Sequence, residues 1–161
     1  MGLLFVYSWD MLRALLALVG ALAVFSGGVQ IGAKEVTLPV LGQVVSALAD
    51  ASFAASLIIV AVVLGRRQLW VRLVQIVSLV LAVILIVASL LVERVTDPAA
   101  LIGNAAFIAI DVAAIAAMST PRVRSWYTEP GAIPTYVSGA LVFWAAINAT
   151  QIVYLGISGS S

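Results

Sequence analysis

Five long apolar runs dominate the chain, each ended by a short polar stretch. They lie at about Leu12–Ile31, Val44–Leu64, Leu69–Val92, Ala99–Met118 and Thr135–Ile157. Each is close to the roughly 20 residues an α-helix needs to cross the hydrocarbon core of a bilayer. The third and fifth are slightly long and could be accommodated by tilt. A membrane β-barrel would need stretches of about ten residues alternating apolar and polar positions. Here the runs are continuous and about twice that length, which excludes a barrel.

The breaks carry helix punctuation. Residues 32–42 hold Lys34, Glu35 and Pro39, and Gly65-Arg66-Arg67 ends the second run. Asp97-Pro98 opens the fourth, with Asp97 placed as an N-cap and Pro98 at the first helical position. Pro121, Pro130, Gly131 and Pro134 interrupt the longest connection. Proline ends helices because it lacks an N–H and clashes with the preceding turn.

Residues 1–11, MGLLFVYSWDM, are apolar but broken by Ser8 and Asp10. They form either an extension of the first helix or a separate interfacial helix. Val6 stands where a myristoylation signal needs Ser or Thr. The Ala21-Leu22-Ala23 triplet lies inside the apolar run, and the flank holds only Arg13 beside Asp10. The first run is therefore read as a retained span, not a cleaved signal. The expected fold is an all-α polytopic transmembrane bundle of five spans in a single domain, residues 1–161.

Basic residues fix an expected orientation. Arg66, Arg67, Arg72, Arg122 and Arg124 lie on one side, against Lys34 and Arg94 on the other. The positive-inside rule puts the arginine-rich side in the cytoplasm, with the N-terminus, and the C-terminal Ser-Gly-Ser-Ser outside. Trp9, Trp70, Trp126, Tyr7, Tyr127 and Tyr136 fall on the same inner side, and Tyr154 near the outer one. They read as a belt of interface anchors. Arg66, Arg67, Arg72, Arg122 and Arg124 with Trp70 and Trp126 are the expected cytoplasmic anchors.

Composition sharpens this picture. Hydrophobic residues make up 64% and charged residues 9% of 161 positions, with a net charge of +1. Soluble domains carry about 25% charged residues. Bulk electrostatics give no case for nucleic-acid binding. The chain has no cysteine and no histidine. Disulfides, thiolate and imidazole metal sites and His-ligated haem are excluded with them. No catalytic residue, cofactor or metal is expected. The expected partners are the bilayer and other membrane subunits or copies of the chain, in a prokaryotic cytoplasmic membrane.

Polarity inside the runs is sparse, which makes it informative. Asp50 lies about two turns into the second run and Asp111 past the middle of the fourth. An ionised Asp at mid-membrane costs about 2.5–3.5 kcal/mol on the insertion scale, so each must face protein, face water or hold its proton. Asn104 lies seven residues before Asp111, and Asn148 three before Gln151, so each pair shares a helix face. By depth, Asp50, Asn104, Asn148 and Gln151 meet in the outer half, with Asp111 deeper. Either these five form a polar track for protons, cations or a small solute, or they are hydrogen-bonding glue between helices. The glue reading leads, because the residues are few and no Lys or Arg is expected at comparable depth.

Alanines recur every fourth residue at Ala47, Ala51 and Ala55, and at Ala105, Ala109, Ala113 and Ala117. Small residues let helix backbones approach, so the second and fourth helices are expected to be tightly packed and the third peripheral. The leading functional expectation is an accessory or scaffolding subunit of a membrane assembly. The alternative is a homo-oligomeric channel or transporter for protons, small cations or polar solutes. An enzyme is not expected. What separates the two is whether the five polar residues line a wet cavity or zip helices shut.

Overall fold

The computed structural model describes residues 2–26, 29–31, 34–36, 38–94 and 96–158. Ser160 and Ser161 of the C-terminal tail, with Gly159, lie outside the described residues. In chain order the elements are α1 (Gly2–Ala23), β1 (Val29–Ile31), β2 (Lys34–Val36), α2 (Val40–Val63), α3 (Leu69–Glu93), α4 (Pro98–Ser119), α5 (Pro121–Trp126) and α6 (Thr135–Ser158). Five of the helices are long and apolar enough to cross a membrane. β1 and β2 pair antiparallel, with Gln30 opposite Glu35.

α1 packs on α2, α2 on α6, α6 on α3, α3 on α4, and α4 back on α1. The five long helices thus close a ring. One end of it, called here the arginine end, gathers Arg66, Arg67, Arg72, Arg122 and Arg124 at the α2–α3 and α4–α6 connections. The other, the hairpin end, carries β1–β2 and the α3–α4 turn. Ordinary local rules set the turns. Asp97 caps α4 by accepting from the Ala100 N–H at 2.9 Å, with Pro98 at the first position. α3 closes on Arg94 in the left-handed region, φ 48°.

The arginine end is laced shut through main-chain groups. The Leu69 N–H donates to the Glu129 carbonyl at 2.9 Å, and the Glu129 N–H to the Arg67 carbonyl at 3.0 Å. Tyr127 Oη donates to the Leu64 carbonyl at 2.6 Å, and Arg72 Nε to the Met118 carbonyl at 2.9 Å. Arg67 lies over the Trp126 ring at 5.1 Å. Gly131 passes so close to Trp70 that a Cβ there would sit 2.9 Å from Cδ1. On the outside, every long helix exposes large aliphatic side chains, with Leu22, Val62, Leu91 and Ile102 at 70–74% exposure.

Four expectations need correction. The first long helix runs Gly2–Ala23, so residues 2–11 extend it, one of the two readings offered, and it ends well short of Ile31; Asp10 and Arg13 do not break it because other helices supply their partners. Trp9, Trp70 and Tyr127 are buried rather than belted at an interface. The Trp9 and Trp70 indoles and the Tyr127 hydroxyl each donate to an acceptor inside the protein. Tyr7, Trp126, Tyr136 and Tyr154 are exposed. α3 is not peripheral, since Val71, Gln75, Ser78, Ala82 and Ser89 form a buried stripe between α6 and α4. α4 turns Asp111, Ala114 and Met118 inward, leaving Ala105, Ala109 and Ala113 exposed. Its ladder is therefore not an internal packing face, whereas α2 is well buried through Ala47, Ala54, Leu57 and Ala61.

Candidate functional site

Two polar layers lie inside the ring. The one nearer the arginine end is a buried cluster. On α1, Arg13 follows Asp10 by three residues and Trp9 by four, so each shares a face with Arg13. Trp9 Nε1 donates to Asp111 Oδ1 on α4 at 2.7 Å. Gln75 Nε2 on α3 donates to Asp10 Oδ1 at 2.8 Å. Arg13 Nη2 reaches the Ser78 carbonyl at 3.3 Å, and Ser78 Oγ donates back to the Gln75 carbonyl at 2.9 Å.

Arg13 lies between two carboxylates, bonded tightly to neither. Its Nη1 is 3.8 Å from Asp10 Oδ1 and its Nε 4.0 Å from Asp111 Oδ1. These distances support Coulomb attraction but not direct hydrogen bonds. The guanidinium carbon stands 5.4 Å from the centre of the Phe53 ring. Asp10, Arg13 and Asp111 are all at most 7% exposed. Asp10 Oδ2, Arg13 Nη1 and Gln75 Oε1 are buried with no hydrogen-bond partner. Orphan atoms of this kind are expensive, and three in one cluster call for water or a ligand atom.

The second layer, toward the hairpin end, is a cavity of about 400 Å³. All five long helices line it: Arg13 and Gly20 from α1, Asp50 and Phe53 from α2, Ser89 from α3, Asn104 and Asp111 from α4, and Trp144, Asn148 and Gln151 from α6. All five residues of the expected polar track therefore reach one cavity. Asp111 and Arg13 are buried at its floor, whereas Asn104, Asn148 and Gln151 are part-exposed toward the hairpin end. Gly20 lets α1 come close to Asp50, whose Oδ2 would be 3.5 Å from a Cβ there. Phe53 and Trp144 stack at 3.9 Å with 8° between their planes, and both line the cavity with Asp50.

The seven expected anchors lie at the arginine end. Arg67 and Arg72 fasten the arginine end, Trp70 is buried there, and Trp126 lies partly exposed under Arg67. Arg66, Arg122 and Arg124 are exposed on that end.

Sequence reasoning missed Arg13, the cation expected to be absent, along with Asp10, Trp9 and the Phe53–Trp144 pair. A signal existed: Arg13, Ala17 and Gly20 recur at i, i+4 and i+7, and all three line the cavity. Placing the start of the first span at Leu12 hid it. Among the described residues, no cluster of carboxylates or other ligating side chains could hold a metal ion. Compared with protein-family models, curated proteins and solved structures, the chain matches none.

Proposed function

We propose that this chain is an integral membrane protein that binds a small polar solute inside its helix ring and handles it as a carrier or sensor. In this reading the arginine end faces the cytoplasm and the solute enters from the hairpin end. One observation carries it. Polar side chains scattered from residue 13 to residue 151 converge on one cavity inside a bundle whose outer surface is apolar. Glue residues would bond to each other across helices and leave no space. Gln151 and Asp111 do bond across helices, to Ser46 and Trp9, but Asn104 and Asn148 donate to carbonyls of their own helices and line a cavity with Asp50 and Asp111. The exposed aliphatic side chains support a lipid surround, since monomeric soluble proteins rarely expose large apolar patches.

The absence of cysteine makes the test clean. Asn148→Cys would carry the chain's one thiol, as would a control, Ala99→Cys, at the exposed start of α4. Both should react with a membrane-impermeant thiol reagent applied outside intact cells. Labelling of Ala99→Cys without Asn148→Cys would refute an accessible cavity. Labelling of neither from outside, but of both after permeabilisation, would invert the orientation.

A second reading, the subunit of a larger assembly, draws on the exposed alanine face of α4 at Ala105, Ala109 and Ala113. Small-residue faces favour close helix association in lipid. Mass measurement of the gently extracted particle, with its components identified, distinguishes a fixed-ratio complex from a homo-oligomer or a monomer.

A further inference from the structure

Resting on the solute-binding reading, we infer that the solute is a small organic amine. Its protonated nitrogen would pair with Asp50 beside the Phe53–Trp144 stack.

The amides come first. Asn104 Nδ2 donates to the Ala100 carbonyl at 2.8 Å, and Asn148 Nδ2 to the Trp144 carbonyl at 2.9 Å. Gln151 Nε2 donates to Ser46 Oγ at 2.6 Å. All three amides thus spend a donor on the protein. No donor among the described residues reaches their carbonyl oxygens, and these are not among the buried orphan atoms. Each amide keeps a second N–H as well as that carbonyl oxygen, so the surplus of acceptors on the wall comes from the carboxyl groups of Asp50 and Asp111. A ligand rich in N–H donors satisfies it; one rich in acceptors does not.

Charge points the same way. Two carboxyl groups and one guanidinium line the cavity, and a third carboxyl, Asp10, stands directly behind Arg13, so acidic groups outnumber the cation. Arg13 is already flanked by Asp10 and Asp111 at 3.8 and 4.0 Å. A carboxylate ligand there would bring a third anion to one cation, at an unfavourable Coulomb cost. What Arg13 Nη1 lacks is a neutral acceptor, such as water or a ligand hydroxyl.

Shape and surface complete the case. A cavity of about 400 Å³ is far larger than a bare metal ion and lies within the usual range of about 300–1,000 Å³ for organic ligands. Asp50 and Phe53 are three residues apart on α2, so carboxylate and ring share a face. A carboxylate beside stacked aromatic rings matches an ammonium group with an apolar body.

The test uses purified full-length protein in nanodiscs and four probes measured by calorimetry: ethanolamine, tetramethylammonium, butyrate and potassium chloride. Ethanolamine should bind. Tetramethylammonium, which has no N–H, should bind at least tenfold more weakly, and butyrate and potassium should not compete. Asp50→Asn should weaken ethanolamine at least tenfold. Asn148→Asp adds a carboxylate to the wall and should tighten it, an effect a merely structural role would not produce. Binding of butyrate without ethanolamine would overturn the amine assignment while leaving the cavity reading intact. Amine binding indifferent to both substitutions would place the amine elsewhere and also overturn it. If no probe binds and Asn148→Cys resists labelling, both readings fail together.

Discussion

The two ends of the ring solve opposite problems. At the arginine end, side chains and loop backbone satisfy main-chain carbonyls: Tyr127 on Leu64, Arg72 on Met118, and Glu129 bridged to Arg67 and Leu69. Toward the hairpin end, each amide spends one N–H on its own surroundings and keeps a carbonyl oxygen and a second N–H beside the cavity. One end is fastened through main-chain carbonyls, and the other keeps polar side chains around a cavity. The Asp10–Arg13–Asp111 cluster is the boundary. The contrast teaches that polar residues in an apolar bundle are not one class, and that what their spare atoms face decides between fastening and binding.

The sharpest way to break the contrast is at the boundary. Arg13→Ala strands Asp10 and Asp111 as buried acids without a cation, and loss of one partner of a buried ion pair typically costs about 3–5 kcal/mol. Reversible unfolding in mixed micelles should show that loss, and adding Asp111→Asn should recover part of it. An unchanged unfolding midpoint would mean that Arg13 is not electrostatically engaged.

Crowding the closed half comes next. Gly131→Ala drives a Cβ to 2.9 Å from Trp70 Cδ1, and overpacking of this kind costs about 1–3 kcal/mol. The thermal midpoint should fall, and tryptophan emission should change as the ring shifts.

Tyr127→Phe should cost about 1 kcal/mol through the lost bond to the Leu64 carbonyl, with ligand affinity unchanged. Burial, opposed by the Arg72 charge, pushes the Tyr127 hydroxyl up to about 12 from 10.0. The folded state then holds a proton that the unfolded chain has shed. This stability is therefore complete below pH 10 and is lost as pH rises from about 10 to about 12. Chemical unfolding measured across that window should show the decline in the parent and not in Tyr127→Phe.

The smallest effect has the opposite sign. Gly20→Ala places a methyl at ordinary contact distance from Asp50 Oδ2 and removes a mid-helix glycine. It should stabilise α1 by roughly 0.5–1 kcal/mol. A methyl tolerated at Gly20 and rejected at Gly131, compared by unfolding midpoint, measures the difference between the two halves directly.

Four of the five long helices were legible because a continuous apolar run bounded by Pro, Gly or Arg leaves little choice. α3 starts at Leu69 as expected, and α4 and α6 begin within one residue of their expected starts. α1 was not legible. Asp10 and Arg13 read as the polar flank of a span, and only Gln75 and Ser78 on α3 with Asp111 on α4 make them compatible with a helix interior. Such partners lie 65 residues away or more and leave no local trace. The five cavity residues could be selected because polarity within an apolar run is rare, whereas the direction in which each amide spends its donor is a rotamer property that spacing does not encode. The alanine spacing in α4 identified a smooth face but not which way it looked. Asp111 and Met118, at seven residues' separation, fixed the inward side instead.

The order of helices around the ring sets a schedule. α2 and α3 are consecutive in the chain, yet α6 packs against both of them. Translation delivers α6 after the other four long helices, so the wall bearing Trp144, Asn148 and Gln151 arrives last. Until then Phe53 has no stacking partner and Ser46 no amide to receive. The cavity is thus completed only when α6 joins the other four long helices, and a ribosome halted before Thr135 would hold a bundle with its lining polar groups displayed through an unfilled side.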